Sequence, residues 1–311
     1  MSLFLGIDTS NYTTSTALYD RAACVMTQQK RLLPVKAGRK GLRQSDAVYL
    51  HLKQLPELLE TLLADVSGPV AGVGVSVRPR DAEGSYMPCF EAGHAAARAI
   101  AAALHVPVHA FSHQAGHIAA ALFSADRLDW LERPFVAFHL SGGTTEAVLC
   151  RPGAGAPEVE LLCTSLDLKA GQAVDRVGLL LGLPFPAGPA LEALSHQSVR
   201  TFSVRPSMKG GDCSLSGIEN RCAAMRAHGE PDADIARYCI SAIAAALHGM
   251  TQAVRAQYPD LPLLYAGGVM SNRDICTEFT ERYGAVFARP GFSSDNAAGI
   301  AVLAMRKVEQ A

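Results

Sequence analysis

Two stretches of this chain share one device, and that repetition constrains the fold more than any other feature. Leu3 to Ile7 is an apolar run, followed by polar Asp8-Thr9-Ser10-Asn11-Tyr12-Thr13-Thr14 and a second segment around Thr16 to Tyr19. This reads as a strand, a polar turn and a returning strand. Phe135 to Leu149 repeats the pattern. Laid side by side without a gap, Phe4 falls on Phe135, Ser10 on Ser141, Thr13-Thr14 on Thr144-Thr145 and Leu18 on Leu149. A hairpin recurring in register at about half the chain length points to two lobes built on one plan; shared β-rich local composition is the alternative.

Between and after the hairpins, helical and strand patterns alternate. Ala47 to Leu63 carries leucines at helical spacing, interrupted by Pro56, so a helix with a bend or restart is expected. Val70 to Val77 reads as a buried strand, Arg78 to Ser85 as a loop, Ala92 to Leu104 as an alanine-rich helix and Val106 to Ala110 as a strand. A polar link is expected near Ser124 to Pro134. Helical spacing returns over Asp167 to Leu181 and over Ile235 to Ala256, with a strand at Leu261 to Ala266 and a last helix from Ala297 to about Lys307. This alternation means an α/β architecture. The expected lobes are residues 1–130 and 131–311, the last helix returning to the first lobe.

Composition narrows the function classes. The 311 residues suit two domains, and 49% hydrophobic with 18% charged residues describes a compact globular chain rather than a disordered one. A formal net charge of -1 supplies no global basic field, so contact with nucleic acid requires a local patch or a partner. The eight cysteines include no Cys-x-x-Cys pair, which is the usage of a reducing, cytoplasmic compartment. No basic leader precedes Leu3 and no apolar run reaches the ~20 residues a bilayer requires, so a cytoplasmic protein without a membrane partner is expected.

Several residue groups carry potential chemistry. His113 and His117 lie four apart, hence on one helix face, and offer two nitrogens to one divalent ion; the set still lacks a carboxylate or third histidine. Two partly exposed histidines at a helix start are the plain alternative. The turn Ser141-Gly142-Gly143-Thr144-Thr145 has consecutive amides able to cradle phosphate oxygens, or is simply a hairpin turn. Asp175 sits on a helix face and Glu192 in the first turn of another helix, both also ordinary positions for an acid. The strand ending at Ala266 delivers Gly267-Gly268-Val269 and then Asn272 to the strand end where open α/β folds bind ligands. Asp295, before the last helix, is either a functional carboxylate or part of an N-cap.

Taken together these segments resemble the TsaD (Gcp) family of tRNA threonylcarbamoyladenosine synthases, formerly called O-sialoglycoprotein endopeptidases, within the actin-like ATPase (ASKHA) superfamily. The resemblance rests on Leu5-Gly6-Ile7-Asp8-Thr9-Ser10, His113-x-x-x-His117, Leu140 to Glu146, Ala170 to Arg176, Leu181 to Pro184, Gly188 to Glu192, Ser214 to Gly217, Ala266 to Val269 with Asn272, and Ser294 to Ala298. It implies a two-lobed actin-like fold with duplicated β-hairpin and α/β lobes. It also implies one divalent metal, iron or zinc, on His113, His117 and Asp295. An adenine nucleotide, threonylcarbamoyl-AMP or ATP, would meet His139, Leu140, Ser141, Gly142, Gly143, Asp175, Gly188, Glu192 and Asn272. The implied reaction transfers a threonylcarbamoyl group from its adenylate to the exocyclic amine of the adenosine beside a tRNA anticodon. A TsaB-like paralogue, a TsaE-like ATPase and the threonylcarbamoyl-AMP synthase are the implied partners besides tRNA.

The chain departs from the family pattern at several positions. Asn11, Tyr12 and Thr13 stand in a run where the family carries two acids, Ala115 replaces a glutamate, Thr144 a histidine, and Leu168 and Gln172 acidic residues. Arg78-Pro79-Arg80-Asp81 replaces a Gly-Pro-Gly loop. These changes mark a divergent member. A non-catalytic scaffold paralogue, a transferase with another acceptor and an actin-like kinase with Asp8 as base are the competing readings. A metallopeptidase is disfavoured because no glutamate follows His113.

Overall fold

The computed structural model describes residues 2–10, 12–34, 42–293 and 296–311. Two compact units form, one from Met1–Arg133, Arg151–Val159 and Ser294–Ala311 and the other from Pro134–Cys150 and Glu160–Ser293.

The first unit contains β1 (Leu3–Asp8), β2 (Thr13–Asp20), β3 (Val25–Leu32), α1 (Gln44–Leu63), β4 (Val70–Arg78), α2 (Phe90–Leu104), β5 (Val108–Ser112) and α3 (His113–Ser124), joined by α9 (Ala298–Glu309) from the far end of the chain. Its sheet runs β3-β2-β1-β4-β5, antiparallel across the first three strands and parallel across the last three. Every residue of β1 is buried, so the strand reads as one continuous apolar run rather than as alternation. β3, with the sequence Val-Met-Thr-Gln-Gln-Lys-Arg-Leu, is a half-exposed edge strand whose polar residues conceal it from a hydrophobic pattern.

Of the bend or restart expected at Pro56, the restart does not occur, and α1 runs on as a single helix. Pro56 points to solvent while Ala47, His51, Gln54, Leu55, Leu58 and Leu62 face inward, so the carbonyl deprived of its partner, that of exposed Leu52, is open to water. The expected polar link before Pro134 instead contains a 3-10 turn, Leu128–Glu132, that buries Trp130 and Leu131.

Helix α9 is buried from Ala298 to Arg306 and approaches its neighbours at backbone distance. A Cβ on Gly6 would lie 2.4 Å from the Ala297 carbonyl oxygen, one on Gly74 2.6 Å from that of Ile300, and one on Gly299 1.8 Å from that of Gly116. Any side chain at these places would push α9 off β1, β4 or α3.

The second unit contains β6 (Phe135–Leu140), β7 (Thr145–Arg151), β8 (Glu158–Thr164), α4 (Ala170–Leu180), α5 (Gly188–Ser195), β9 (Ser207–Lys209), β10 (Asp212–Ser214), α6 (Ser216–Ala227), α7 (Asp232–Gln257), β11 (Leu263–Ala266), α8 (Arg273–Tyr283) and β12 (Val286–Phe287). Its main sheet, β8-β7-β6-β11-β12, has the order of the first sheet with each strand replaced by its counterpart. The repeat extends to hydrogen-bond register. Phe4 faces Tyr19, Leu5 faces Leu18 and Asp8 faces Ser15; in the second unit Phe135 faces Cys150, Val136 faces Leu149 and His139 faces Glu146. The gapless sequence alignment carries each pair onto the next, so the two hairpins are one structural unit used twice.

Stacked rings run across three neighbouring strands of the second sheet: Phe138 of β6 lies on Tyr265 of β11 with centroids 4.5 Å apart, and Tyr265 on Phe287 of β12 at 5.2 Å. Because β11 runs parallel to β6, both strands deliver their carboxyl ends, Leu140 and Ala266, to the same edge.

Candidate metal centre and glycine turn

The histidine pair is placed by the start of a helix. Ser112 ends β5 and caps α3, its Oγ accepting from the Ala115 amide at 3.2 Å while its hydroxyl donates to Asp81 Oδ2 at 2.6 Å. Helix α3 therefore begins at His113, and one turn later His117 returns to the same face. Their Nε2 atoms lie 2.9 Å apart, with the rings nearly perpendicular at 81°.

Asp8, at the end of β1 and 1% exposed, sets Oδ2 2.7 Å from His113 Nδ1 and accepts from the Ser10 amide through Oδ1 at 2.8 Å. Burial alone would push its carboxyl up, but His113 and the Ser10 hydrogen bonding hold it below its ordinary value. An ionised Asp8 accepts, which puts the His113 proton on Nδ1 and leaves the Nε2 lone pair facing His117. Two imidazole nitrogens at ~2.1 Å from a tetrahedral ion sit roughly 3.4 Å apart, so a small opening of this pair admits one. The two imidazoles are thus placed to supply two of the donors that a divalent metal requires.

Asp295 lies outside the described residues, and among the described residues no group of three His, Cys, Asp or Glu side chains is gathered to hold an ion. The chain just beyond it is fixed: Asn296 is buried and the Ala297 amide donates to Ser15 Oγ at 2.8 Å. Ala115 is fully buried against Phe111, Ile300 and Leu303, so apolar packing occupies that part of α3. Sequence reasoning missed Asp8 as the partner of His113, because no local pattern links the end of β1 to the start of α3.

The glycine turn belongs to the second unit. Ser141 Oγ accepts from the amides of Gly143 at 3.3 Å and Thr144 at 3.1 Å, and the Ser141 amide donates to the Thr144 carbonyl at 2.7 Å. Two of the amides expected to face a phosphate are therefore turned onto the serine, leaving that of Gly142. Helix α4 abuts the turn: the Gly171 amide donates to the Ser141 carbonyl at 3.0 Å, and a Cβ on Gly171 would lie 2.5 Å from the Gly142 nitrogen. The positive end of α4 thus stands next to an open glycine turn, since nothing lies within 4 Å of a Cβ built on Gly142 or Gly143. His139 and Leu140 lead into the turn, and Gly267, with φ 102°, passes so near that a Cβ there would meet the Leu140 carbonyl oxygen at 2.2 Å.

The other expected residues fall into two pairs by place in the fold, each joined through the backbone amide of a residue next to one member. Asp175 Oδ1 accepts from the amide of Ala187, the residue before Gly188, at 2.9 Å. Glu192 Oε1 accepts from the Arg273 amide at 2.9 Å, and Asn272 caps α8 by accepting from the Ile275 amide at 3.0 Å. Glu192 and Asn272 therefore meet at the α8 N-terminus, and Asp175 meets the start of α5. Among the described residues no hydrogen bond joins either pair to the glycine turn. Asp167, expected as the first residue of the α4 helix, instead binds the start of α6, accepting from the Leu215 amide at 2.7 Å and the Ser216 hydroxyl at 2.6 Å.

The fold is similar to that of (R)-2-hydroxyglutaryl-CoA dehydratase component A from Acidaminococcus fermentans, with a TM-score of 0.58 and 16% identity over 99% of this chain and 100% of that one. A ROK family glucokinase from Streptomyces griseus, solved with glucose and AMPPNP, gives 0.52 and 11% over 98% and 99%. HypF from T. kodakarensis gives 0.56 and 13%, covering 99% of this chain and 48% of that one. At such identities the likeness establishes the fold, which is that of the actin-like ATPases. Residues 32–302 match the family described as TsaD: tRNA N6-adenosine threonylcarbamoyltransferase, and the chain belongs to that family.

Proposed function

We propose that this chain transfers a threonylcarbamoyl group from threonylcarbamoyl-AMP to the exocyclic amine of the adenosine next to the anticodon of a tRNA. Family membership supports a transferase of this type. The observation that carries the reading further is the facing pair of Nε2 atoms on His113 and His117, backed by Asp8. A scaffold that had lost its chemistry would have no use for such a pair. In the proposed site His113, His117 and Asp295 would hold one divalent ion, iron or zinc, which would supply Lewis-acid polarisation of an oxygen on the adenylate.

The chain's own residues do the rest. Asp8 fixes the His113 tautomer, and the Gly142 amide with the end of α4 favours negative charge on the adenylate. Asp175, Gly188, Glu192 and Asn272 line the nucleoside, with His139, Leu140, Ser141 and Gly143 beside its acyl phosphate. In the transfer a C–N bond forms between the adenosine amine and the carbamoyl carbon, the carbon–oxygen bond to phosphate breaks, and AMP leaves with the electron pair while the amine loses a proton. No acid stands at Tyr12, Thr13 or Ala115 to manage that proton, so a slow enzyme is expected. The tRNA, a TsaB-like paralogue, a TsaE-like ATPase and the threonylcarbamoyl-AMP synthase are its proposed partners.

Complementation tests this. Expressed in a strain depleted of its own TsaD, the chain should restore threonylcarbamoyladenosine in tRNA, read by nucleoside mass spectrometry. Unmodified tRNA, with the protein present at normal levels and metal-loaded, would overturn the proposal.

A further inference from the structure

The outer strand of the first sheet, β5, borders a cavity of about 340 Å³ that the reaction above does not use. Ligand pockets begin at about that volume. Its apolar part is supplied by Val108, Phe111 and Pro157, and its polar part by groups whose needs are only partly met. Lys307 Nζ donates to the Ala154 carbonyl at 2.8 Å and has two further protons to give. The carboxylate of Glu158 makes no hydrogen bond or ion pair with any described residue.

One short segment positions both charges. Gly155, at φ 95°, is buried against the lysine stem: a Cβ there would lie 2.4 Å from Lys307 Cδ, so only glycine leaves the chain its course. A Cβ on Gly153 would likewise lie 3.1 Å from Glu158 Cγ. An ammonium and a carboxylate thus line one cavity together with apolar side chains. His109 Nε2 is buried beside them without a hydrogen-bond partner, and burial followed by the charge of Lys307 lowers the pKa of its ring.

We propose that this cavity binds a free α-amino acid, its carboxylate on Lys307, its ammonium on Glu158 and a small apolar side chain toward Phe111. A simple anion would be repelled by Glu158 and a simple cation by Lys307, whereas a zwitterion satisfies both, which is discrimination by mismatched charge. The site also has a route to α3. Arg78, on the cavity wall, binds Asp81 Oδ1 through Nε at 2.9 Å, and Asp81 accepts from Ser112, the cap of the helix that carries His113.

Calorimetry on the full-length protein tests the site, with apolar amino acids, their N-acetyl derivatives and their carboxamides as probes. Binding of a parent amino acid is expected, with about tenfold or greater loss for either derivative and for Lys307→Met or Glu158→Gln, since each removes one charge-assisted hydrogen bond. Glu158 is exposed, so its variant should melt as wild type does. No binding of any amino acid at millimolar concentration would overturn the proposal, as would N-acetyl derivatives binding as tightly as their parents or both variants retaining full affinity.

Discussion

Asp8 Oδ2 lies 2.7 Å from His113 Nδ1, although the two residues are 105 positions apart in the chain. The contact joins the end of β1 to the start of α3 and favours the tautomer with the His113 proton on Nδ1. Carboxylates in this role typically contribute 10- to 100-fold in metal affinity, so about that loss is expected for Asp8→Asn. Competition against a chelator of known affinity measures it. Unchanged affinity in the variant would show that the histidine needs no such partner.

Asn272 has two roles that one substitution can separate. As the cap of α8 its side chain accepts from the Ile275 amide. Asn272→Ala should therefore cost about 1 kcal/mol of stability, while Asn272→Asp, which keeps the acceptor, should not. If Asn272 also meets the nucleotide, the aspartate variant places a negative charge beside an adenylate, and its affinity should fall while its melting temperature holds. Calorimetry with an adenylate analogue reads the first and thermal unfolding the second; equal adenylate affinity in both proteins removes Asn272 from the site.

Gly171 and Gly142 touch one another but should respond differently to alanine. A Cβ on Gly171 meets the Gly142 nitrogen at 2.5 Å and the Ser141 carbonyl carbon at 2.7 Å, both backbone atoms, so Gly171→Ala must displace α4 at a cost of about 1–3 kcal/mol. A Cβ on Gly142 meets nothing within 4 Å. Gly142→Ala should thus fold as wild type and change only ligand binding, a contrast that denaturant melts resolve.

The parts legible in the sequence are those where one face of an element is apolar. The hairpin repeat was readable because Phe4 and Phe135, and Leu18 and Leu149, occupy equivalent core positions, and the strand registers agree with that alignment. β3 and β12 were not readable: the first is a polar edge strand and the second has two residues, so neither carries a period. The His113 and His117 pair was legible because both lie on one helix. The contribution of Asp8 was not, since sheet order rather than local pattern brings β1 to α3. Likewise Asp167 looked like the first residue of its own helix, but its carboxylate serves another one.

That carboxylate gives a pH prediction. Burial would raise the Asp167 pKa, but the Ser216 hydroxyl and the amides of Leu215, Leu168 and Ser216 bring it down to about 2. A folded-state pKa below the unfolded one means that the contribution is complete above the ordinary aspartate range and is lost as pH falls toward 2. The melting-temperature difference between wild type and Asp167→Asn should be constant near neutrality, shrink below about pH 4 and vanish only below about pH 2. A difference independent of pH would mean that the ionised form is not what holds α6.

The most direct measurement is the rate of threonylcarbamoyladenosine formation on tRNA in a reconstituted mixture of threonine, bicarbonate, ATP, the partner proteins and metal-loaded chain. Loss of positioned acids typically costs about 10²- to 10⁴-fold, so a measurable rate below that of ordinary family members is expected, abolished by His117→Ala or by chelation and restored in wild type by added iron or zinc. Product formed equally well by His117→Ala or after chelation would contradict the account, and so would a metal-loaded wild type that binds the adenylate yet leaves tRNA unmodified.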